Sequence, residues 1–142
     1  MGFLKRVFGG SQRKDLVIEA TEFCCGRFHL PIVGEASYQD ELRRLDGGRL
    51  GRGEPVEFRV VLIPEPNNQH DSNAICAYAE NGGVIGYLCR DNAESIGDAI
   101  REFLSLRGRN VACRGVARGG TQDKPSIGVW LDLDTDALDD EI

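Results

Sequence analysis

Long apolar runs are absent from this sequence. Its apolar segments, such as Val60–Ile63, are far shorter than the roughly 20 residues that a helix needs to cross a bilayer. We therefore expect no membrane span. The five cysteines are an odd number and include no CxxC pair, so they indicate neither a disulfide framework nor a zinc cage. This pattern predicts reduced thiols and a cytoplasmic location.

The sequence also has no excess of basic residues over acidic ones. The formal net charge is −6, which argues against broad electrostatic capture of phosphate backbones, because nonspecific DNA binding depends on many Lys and Arg contacts. The two ends differ in sign: residues 1–14 contain four bases and no acid, whereas residues 132–142 contain six acids and no base. A local basic groove between the two ends is compatible with the overall acidity.

Motifs for catalysis are lacking as well. The sequence has no P-loop of the GxxxxGK[ST] type, so ATP hydrolysis is not predicted. No second carboxylate, histidine pair or nucleophile motif stands at a useful spacing from Asp71, and Glu65 and His70 alone are weak indications of a metal site. We therefore predict a protein that is not an enzyme and that uses no metal and no cofactor.

The chain has the size of one domain. With 142 residues, of which 41% are apolar, it can bury one core and has little left for a second. We expect a lead-in segment over residues 1–26, a folded domain over residues 27–133 and a disordered acidic tail over residues 134–142.

Residues 1–10 place four apolar side chains on one helical stripe, with Lys5 and Arg6 opposite and a Gly-Gly break afterwards. Three interpretations stay open. The segment is a disordered or loosely helical lead-in, a contact for a protein partner or a membrane surface, or a secretory signal. The short, charge-interrupted apolar stretch disfavours the signal.

Short β-rich segments dominate the rest of the chain. Alternating or β-branched runs, bounded by Gly, Pro and Asn, predict six strands, at residues 27–33, 56–63, 74–78, 84–88, 111–116 and 127–133. The dipeptide Asn81-Gly82 separates two of these runs and predicts a β-hairpin.

Two helices are expected among the strands. Ser37 resembles an N-cap for a helix over Tyr38–Leu45. Asp91 and Glu94 resemble a capping box for an amphipathic helix that ends before Gly108. Six short strands with two helices and Gly-rich turns predict a mainly β fold that closes, fully or nearly, into a small six-stranded barrel.

The loop Pro64–Ala74 is the most unusual segment, because seven of its residues are consecutive short polar or imidazole side chains, Asn67 to Asn73. Two explanations are open. The Asn and Asp side chains cap backbone groups through Asx-turns and hold a long strand connection in shape, or they line a binding site.

The pattern E-P-x-N-x-x-D-x-N-A-I over residues 65–75, followed by I-G-Y-L over residues 85–88, resembles a HIRAN domain. Ile32-Val33-Gly34 and Tyr38 stand where that family has similar residues. The resemblance covers about residues 28–133. It is to stand-alone, bacterial-type members and to the N-terminal domain of fork-remodelling helicases.

The resemblance implies an OB-like or SH3-like β-barrel and a non-catalytic nucleic-acid-binding module. Such a module would recognise the 3′-hydroxyl end of single-stranded DNA in DNA repair or replication-fork processing, and would be nucleoid-associated. Two alternatives stay open: a protein-interaction adaptor with a repurposed pocket, including a partner contact through residues 1–10, and a metal-dependent nuclease or hydrolase.

The resemblance also implies the site residues. A carboxylate such as Asp71 can accept a hydrogen bond from a 3′-hydroxyl and repel a 3′-phosphate. Asn68 can offer a donor and an acceptor, the ring of His70 can stack on a base, and Arg90 can meet a phosphate. The full set of predicted nucleic-acid-binding residues is Ser37, Tyr38, Asn68, His70, Asp71, Tyr87 and Arg90.

Three positions depart from the family pattern. DNA-binding members have an Arg and a Tyr where this chain has Ala36 and Ser37, and a Tyr where it has His70. One cation and two phenol rings are therefore missing from the expected site.

Overall fold

The computed structural model describes residues 19–80 and 83–142, and these form seven strands and three helices. The strands are β1 (Ala20–Glu22), β2 (Leu30–Val33), β3 (Val56–Pro64), β4 (Ile75–Ala79), β5 (Gly83–Leu88), β6 (Asn110–Gly119) and β7 (Ile127–Leu131). The helices are α1 (Gln39–Leu45), α2 (Arg90–Arg107) and α3 (Thr135–Asp139). Two short 3-10 turns, Glu35–Tyr38 and Leu50–Arg52, complete the set.

Strands β2 to β7 close into a six-stranded antiparallel barrel. The order around the barrel is β6-β3-β4-β5-β2-β7, and pairing of β7 with β6 closes the ring. The predicted six-stranded, mainly β barrel is therefore confirmed. The predicted hairpin is confirmed by the antiparallel pairing of β4 with β5, although Asn81 and Gly82 lie outside the described residues.

The sequence did not predict β1. This strand is three residues long and runs parallel to the first residues of β6, while β7 pairs with the last residues of the same strand. The ten-residue length of β6 lets it serve both partners.

Alternation along the strands creates one interior and one outer face. Alternate residues of every barrel strand point inward and form the main core, including Val60, Leu62, Ile75, Ile85 and Leu131, each 0% exposed. A second apolar cluster lies on the outer face of β3, β4 and β6. It contains Val61, Ile63, Cys76, Tyr78 and Ala112, all buried.

The two predicted helices exist, but both begin differently from the prediction. Ser37 is not an N-cap, because it lies within the 3-10 turn Glu35–Tyr38, which leads directly into α1. Helix α2 begins at Arg90 after Cys89, and neither helix start has a side-chain cap. Asp91 lies in the first turn of α2, where its charge suits the helix dipole.

The acidic C-terminal segment is ordered, which corrects the predicted disordered tail. Thr135–Asp139 form α3, and Asp134 caps this helix by accepting a hydrogen bond from the Ala137 backbone N–H at 3.0 Å. Leu138 is 0% exposed in the main core. The buried Leu138 and the Asp134 cap therefore attach this acidic segment to the barrel core.

The amphipathic stripe predicted for residues 1–10 lies outside the described residues. In the part of the chain that the structure describes, no helix is long and apolar enough to cross a membrane.

Candidate functional site

A groove of about 670 Å³ opens on the outer face of the barrel, between the ends of β2 and β5, the loop after β3 and the start of α2. Its lining residues are Val33, Tyr38, Asn68, His70, Asp71, Ala74, Tyr87, Leu88 and Arg90. Six of the seven predicted site residues therefore meet in one groove. Ser37 does not line it; its side chain is exposed, and its backbone N–H donates to the Gly34 carbonyl.

The floor of the groove follows from strand register. Cys76 of β4 lies opposite Tyr87 of β5, and Tyr87 lies opposite Val33 of β2, so the three side chains form a row on the outer face. Val33 is one of few large apolar side chains left exposed in the described chain, at 43%. The sequence prediction missed Val33 as a lining residue, although its odd position in the alternating segment 30–33 is the signal for an outward side chain.

A β-bulge turns Tyr87 outward. The register between β4 and β5 shifts between Ala77 and Tyr78, so Tyr78 pairs with Val84 and Ala77 pairs with Gly86. Without this extra residue, Tyr87 would point inward like Ile85, because side chains alternate with a period of two. The bulge thus places an aromatic side chain in the floor of the groove.

Gly86 is the residue that permits the bulge. Its φ of +153° is a backbone conformation that L side chains rarely adopt. A Cβ at this position would lie 2.7 Å from the Val33 carbonyl oxygen and 2.8 Å from the Ile32 Cδ1. A side chain at this position would therefore clash with β2.

Asn68 organises the loop above the floor. Its Oδ1 accepts hydrogen bonds from the backbone N–H groups of His70, at 2.9 Å, and Asp71, at 3.1 Å. Its Nδ2 donates to Glu65 Oε1 at 2.9 Å. The side-chain oxygen of Asn68 accepts two hydrogen bonds, which occupy both of its lone pairs. The second N–H of Nδ2 is therefore the group that Asn68 can offer a ligand. Most of the hydrogen-bonding capacity of the Asn68 side chain is therefore used to shape the loop.

Asp71 keeps one carboxylate oxygen open. Its Oδ1 accepts from the Asn73 backbone N–H at 2.9 Å, and its Oδ2 lies 3.9 Å from Nε of Arg90. The side chain of Asp71 is 27% exposed, whereas that of Arg90 is 75% exposed. Such a long, exposed contact holds Arg90 weakly, so both Oδ2 and the guanidinium are available to a ligand.

Glu65 accepts a hydrogen bond from Asn68 and lies near Tyr87 and Cys76, and it was not predicted as a site residue. Burial raises the pKa of Tyr87 above its usual value, and the nearby Cys76 and the Glu65 carboxylate raise it further. Burial, with Glu65 as the second cause, likewise raises the pKa of Cys76. Tyr87 and Cys76 are therefore neutral at physiological pH, and Tyr87 presents a protonated phenol.

The described part of the chain brings together no group of three or more His, Cys, Asp or Glu side chains that could hold a metal ion.

The model of the HIRAN domain family matches residues 31–129 of the chain. No curated protein matches the chain significantly. A solved structure of a protein from Lactobacillus plantarum is similar, with 24% identity, a TM-score of 0.43 and coverage of 72% of this chain and 86% of that chain. The HIRAN domain of human HLTF is 20% identical, with a TM-score of 0.38 and coverage of 79% and 82% respectively.

Proposed function

The chain belongs to the HIRAN domain family, and from this premise we propose that its outer groove binds the free 3′-hydroxyl end of single-stranded DNA. Family membership supports a nucleic-acid-binding module in general, and the matched residues 31–129 include the whole groove. The observation that carries the finer proposal is Asp71, a groove residue whose Oδ2 has only a long contact with the weakly held Arg90.

End selectivity follows from the charge of Asp71. A terminal 3′-hydroxyl can donate a hydrogen bond to Oδ2, and a bond to an ionised acceptor is stronger than a neutral one. A 3′-phosphate has no such donor when fully ionised and brings negative charge towards the carboxylate. A continuing phosphodiester meets the same repulsion, so the groove favours a strand end over an internal site.

The aromatic side chains of the groove suit a base of any identity. Tyr38 lies close enough to Tyr87 to contribute to its raised pKa, and both rings line the groove. Stacking on aromatic faces tolerates sequence variation because every base has a π-face. The phenol of Tyr87 is neutral, so this ring brings no negative charge to the bound strand.

Arg90 supplies the cation that the overall acidic chain needs at this point. Its guanidinium can move from Asp71 to a phosphate with little loss, because the present contact is long and solvent-exposed. Ala36 and Ser37 provide neither the cation nor the ring that the resemblance led us to expect there. We therefore expect binding through fewer groups than in the family's DNA-binding members.

In this proposal the protein performs no chemical step and acts as a recognition module in DNA repair or replication-fork processing. It would bring an end-binding activity to a reaction that another protein carries out.

The direct test compares 5′-labelled strands that end in a 3′-hydroxyl or a 3′-phosphate, using fluorescence anisotropy with the wild-type protein and Asp71→Asn. We expect the wild type to prefer the hydroxyl end by about 10- to 150-fold, the equivalent of one hydrogen bond to a charged group. Asp71→Asn should lose most of this preference. Asp98→Asn, which makes the same charge change at an exposed position of α2, should keep it.

Equal wild-type affinity for both ends would refute end recognition while leaving nucleic-acid binding intact. Absence of binding to every strand below about a millimolar would refute the nucleic-acid function itself and favour the adaptor alternative.

A further inference from the structure

A second groove, of about 720 Å³, lies on the other side of β2. Its lining includes Pro31, Gln39, Arg118, Lys124, Gly128 and Trp130. The first groove takes Val33 from β2 and Tyr38 from the following 3-10 turn, and the second takes Pro31, Ile32 and residues of the same turn. Residues 31–39 therefore contribute to both grooves, which lie next to each other.

Strand register joins the two grooves into one surface. Val33 lies opposite Tyr87, and Pro31, two residues earlier on the same face of β2, lies opposite Trp130 of β7. The outer strip, defined here as Tyr87, Val33, Pro31 and Trp130, is thus a continuous apolar and aromatic path. It crosses two strand spacings, or about 10 Å.

The indole of Trp130 lies along β7 and covers Gly128. A Cβ on Gly128 would come within 2.9 Å of Cη2 and 3.2 Å of Cζ3 of this ring. The ring therefore lies low over the strand, and the side chain remains partly exposed in the second groove. A flat, partly exposed indole is a platform on which a base can stack.

Uncommitted cations concentrate beside this indole. Within residues 19–80 and 83–142, most arginines have an ion pair or a side-chain hydrogen bond, as Arg59 and Arg109 do. The cations with neither are Arg27, Arg114, Arg118 and Lys124.

Two of these four flank the indole through strand register. Trp130 lies opposite Val116 of β6, and Arg114 and Arg118 stand two residues to either side of Val116 on the same outer face. Arg118 and Lys124 line the second groove, where Glu35 is the one acidic lining residue. The lining of the second groove is therefore net positive in a chain of net charge −6, and it complements a polyanion.

We propose that the second groove holds the part of the strand that leads away from the bound 3′ end. One base stacks on Trp130, and Arg118 and Lys124 contact the phosphates on either side of it. The strand follows the outer strip from Tyr87 across Val33 and Pro31. This inference rests on the proposed function, and it adds a length requirement: a dinucleotide fills the first groove alone, whereas a longer strand reaches both.

Trp130 is the single tryptophan of the chain, so its emission reports on the second groove directly. Unmodified 3′-hydroxyl oligothymidylates of two and eight nucleotides are titrated into the wild-type protein. We expect the octanucleotide to quench tryptophan emission and the dinucleotide to leave it unchanged. Competition against a 5′-labelled octanucleotide gives the two affinities.

Three variants separate stacking, charge and structure. Trp130→Ala should weaken octanucleotide binding by about fivefold to 150-fold, the range for loss of one stacking side chain, and change dinucleotide binding less than about twofold. Trp130→Phe, which keeps a ring, should recover part of the loss. Arg118→Ala should lower the slope of log affinity against log salt for the octanucleotide by about 0.7, as for one lost phosphate contact.

Arg107→Ala is the matched control for charge, because Arg107 is exposed near the end of α2 and lines neither groove. It should leave the dinucleotide and octanucleotide affinities unchanged. The quenching measured with the wild type and the salt dependence measured with Arg118→Ala test the proposal even if Trp130→Ala does not fold.

Two results would overturn the inference alone. One is octanucleotide saturation with no change in tryptophan emission. The other is equal binding of the octanucleotide by the wild type, Trp130→Ala and Arg118→Ala. In either case, end preference that still depends on Asp71 would leave the proposed function standing. If no strand binds the wild type, both the inference and the proposed function fail.

Discussion

Replacement of Gly86 by alanine tests whether the bulge that orients Tyr87 requires glycine. Two costs add at this position. The φ of +153° belongs to a region populated almost only by glycine, and holding another residue there costs about 1–3 kcal/mol. The new Cβ would also stand 2.7 Å from the Val33 carbonyl oxygen, and such overpacking typically costs about 1–3 kcal/mol.

We therefore expect Gly86→Ala to lower the free energy of unfolding by about 2–6 kcal/mol, out of the roughly 5–15 kcal/mol that is typical of a domain. Urea denaturation, followed by circular dichroism and by Trp130 fluorescence, measures this loss. With a denaturant slope of about 2 kcal/mol per molar, the midpoint should fall by about 1–3 M.

Two other glycines provide matched controls. Gly34 has a φ of +78°, but no atom lies within 4 Å of the point where a Cβ would stand, so Gly34→Ala should cost only the backbone component, about 1–2 kcal/mol. Gly51 has neither a positive φ nor a close neighbour, and Gly51→Ala should be neutral or stabilise by up to about 1 kcal/mol. A loss for Gly86→Ala no larger than that for Gly34→Ala would refute the steric reasoning.

Two further predictions concern stability. Leu138→Ala should lower the free energy of unfolding by about 2–5 kcal/mol because Leu138 is fully buried, whereas Leu106→Ala, at a position 59% exposed, should change it by less than about 0.5 kcal/mol; equal effects would show that α3 does not dock. Burial raises the pKa of Cys76 and Cys113 in the folded protein above the ordinary thiol pKa of about 9. Above that pH the thiols ionise in the unfolded chain but stay protonated in the folded one, so stability that is fully present below about pH 9 is lost as the pH rises. Under reducing conditions the free energy of unfolding should therefore fall between about pH 8 and about pH 10.5. Cys76→Ala should make this fall shallower, and an unchanged slope would show that Cys76 does not contribute to it.

The barrel strands were predictable because their signals are local. Alternation of apolar residues, Pro64 at the end of β3 and Asn81-Gly82 between β4 and β5 indicate strands and turns from a few neighbouring residues. Each of the six predicted strands overlaps an observed one, with boundaries displaced by at most three residues.

The missed elements depend on distant contacts. Strand β1 is too short to show a period, and its partner in β6 is about 90 residues away in the chain. The C-terminal helix α3 is surrounded by acids, so composition favours disorder, yet its order depends on Leu138 entering a core that other segments build. Composition cannot indicate whether a receptive core exists.

The candidate site shows the same division. The polar loop that contains Asn68 and Asp71 stands out in the sequence by its density of short polar groups, and the structure brings it to the groove with Tyr38, Tyr87 and Arg90. The use of Asn68 as an internal loop cap could not be separated from ligand binding, because both roles need the same amide. Only the hydrogen-bond partners distinguish the two roles.

By itself, the amino-acid sequence determined the order and type of the barrel strands, the polar loop and the motif of the HIRAN family, because these depend on neighbours within a few residues. The tertiary structure decided which side chains share a surface. One extra residue at the Gly86 bulge reverses the face of Tyr87, and strand register then sets Tyr87, Val33, Pro31 and Trp130 side by side. A one-residue shift in register exchanges interior and surface, and local sequence patterns do not specify such a shift.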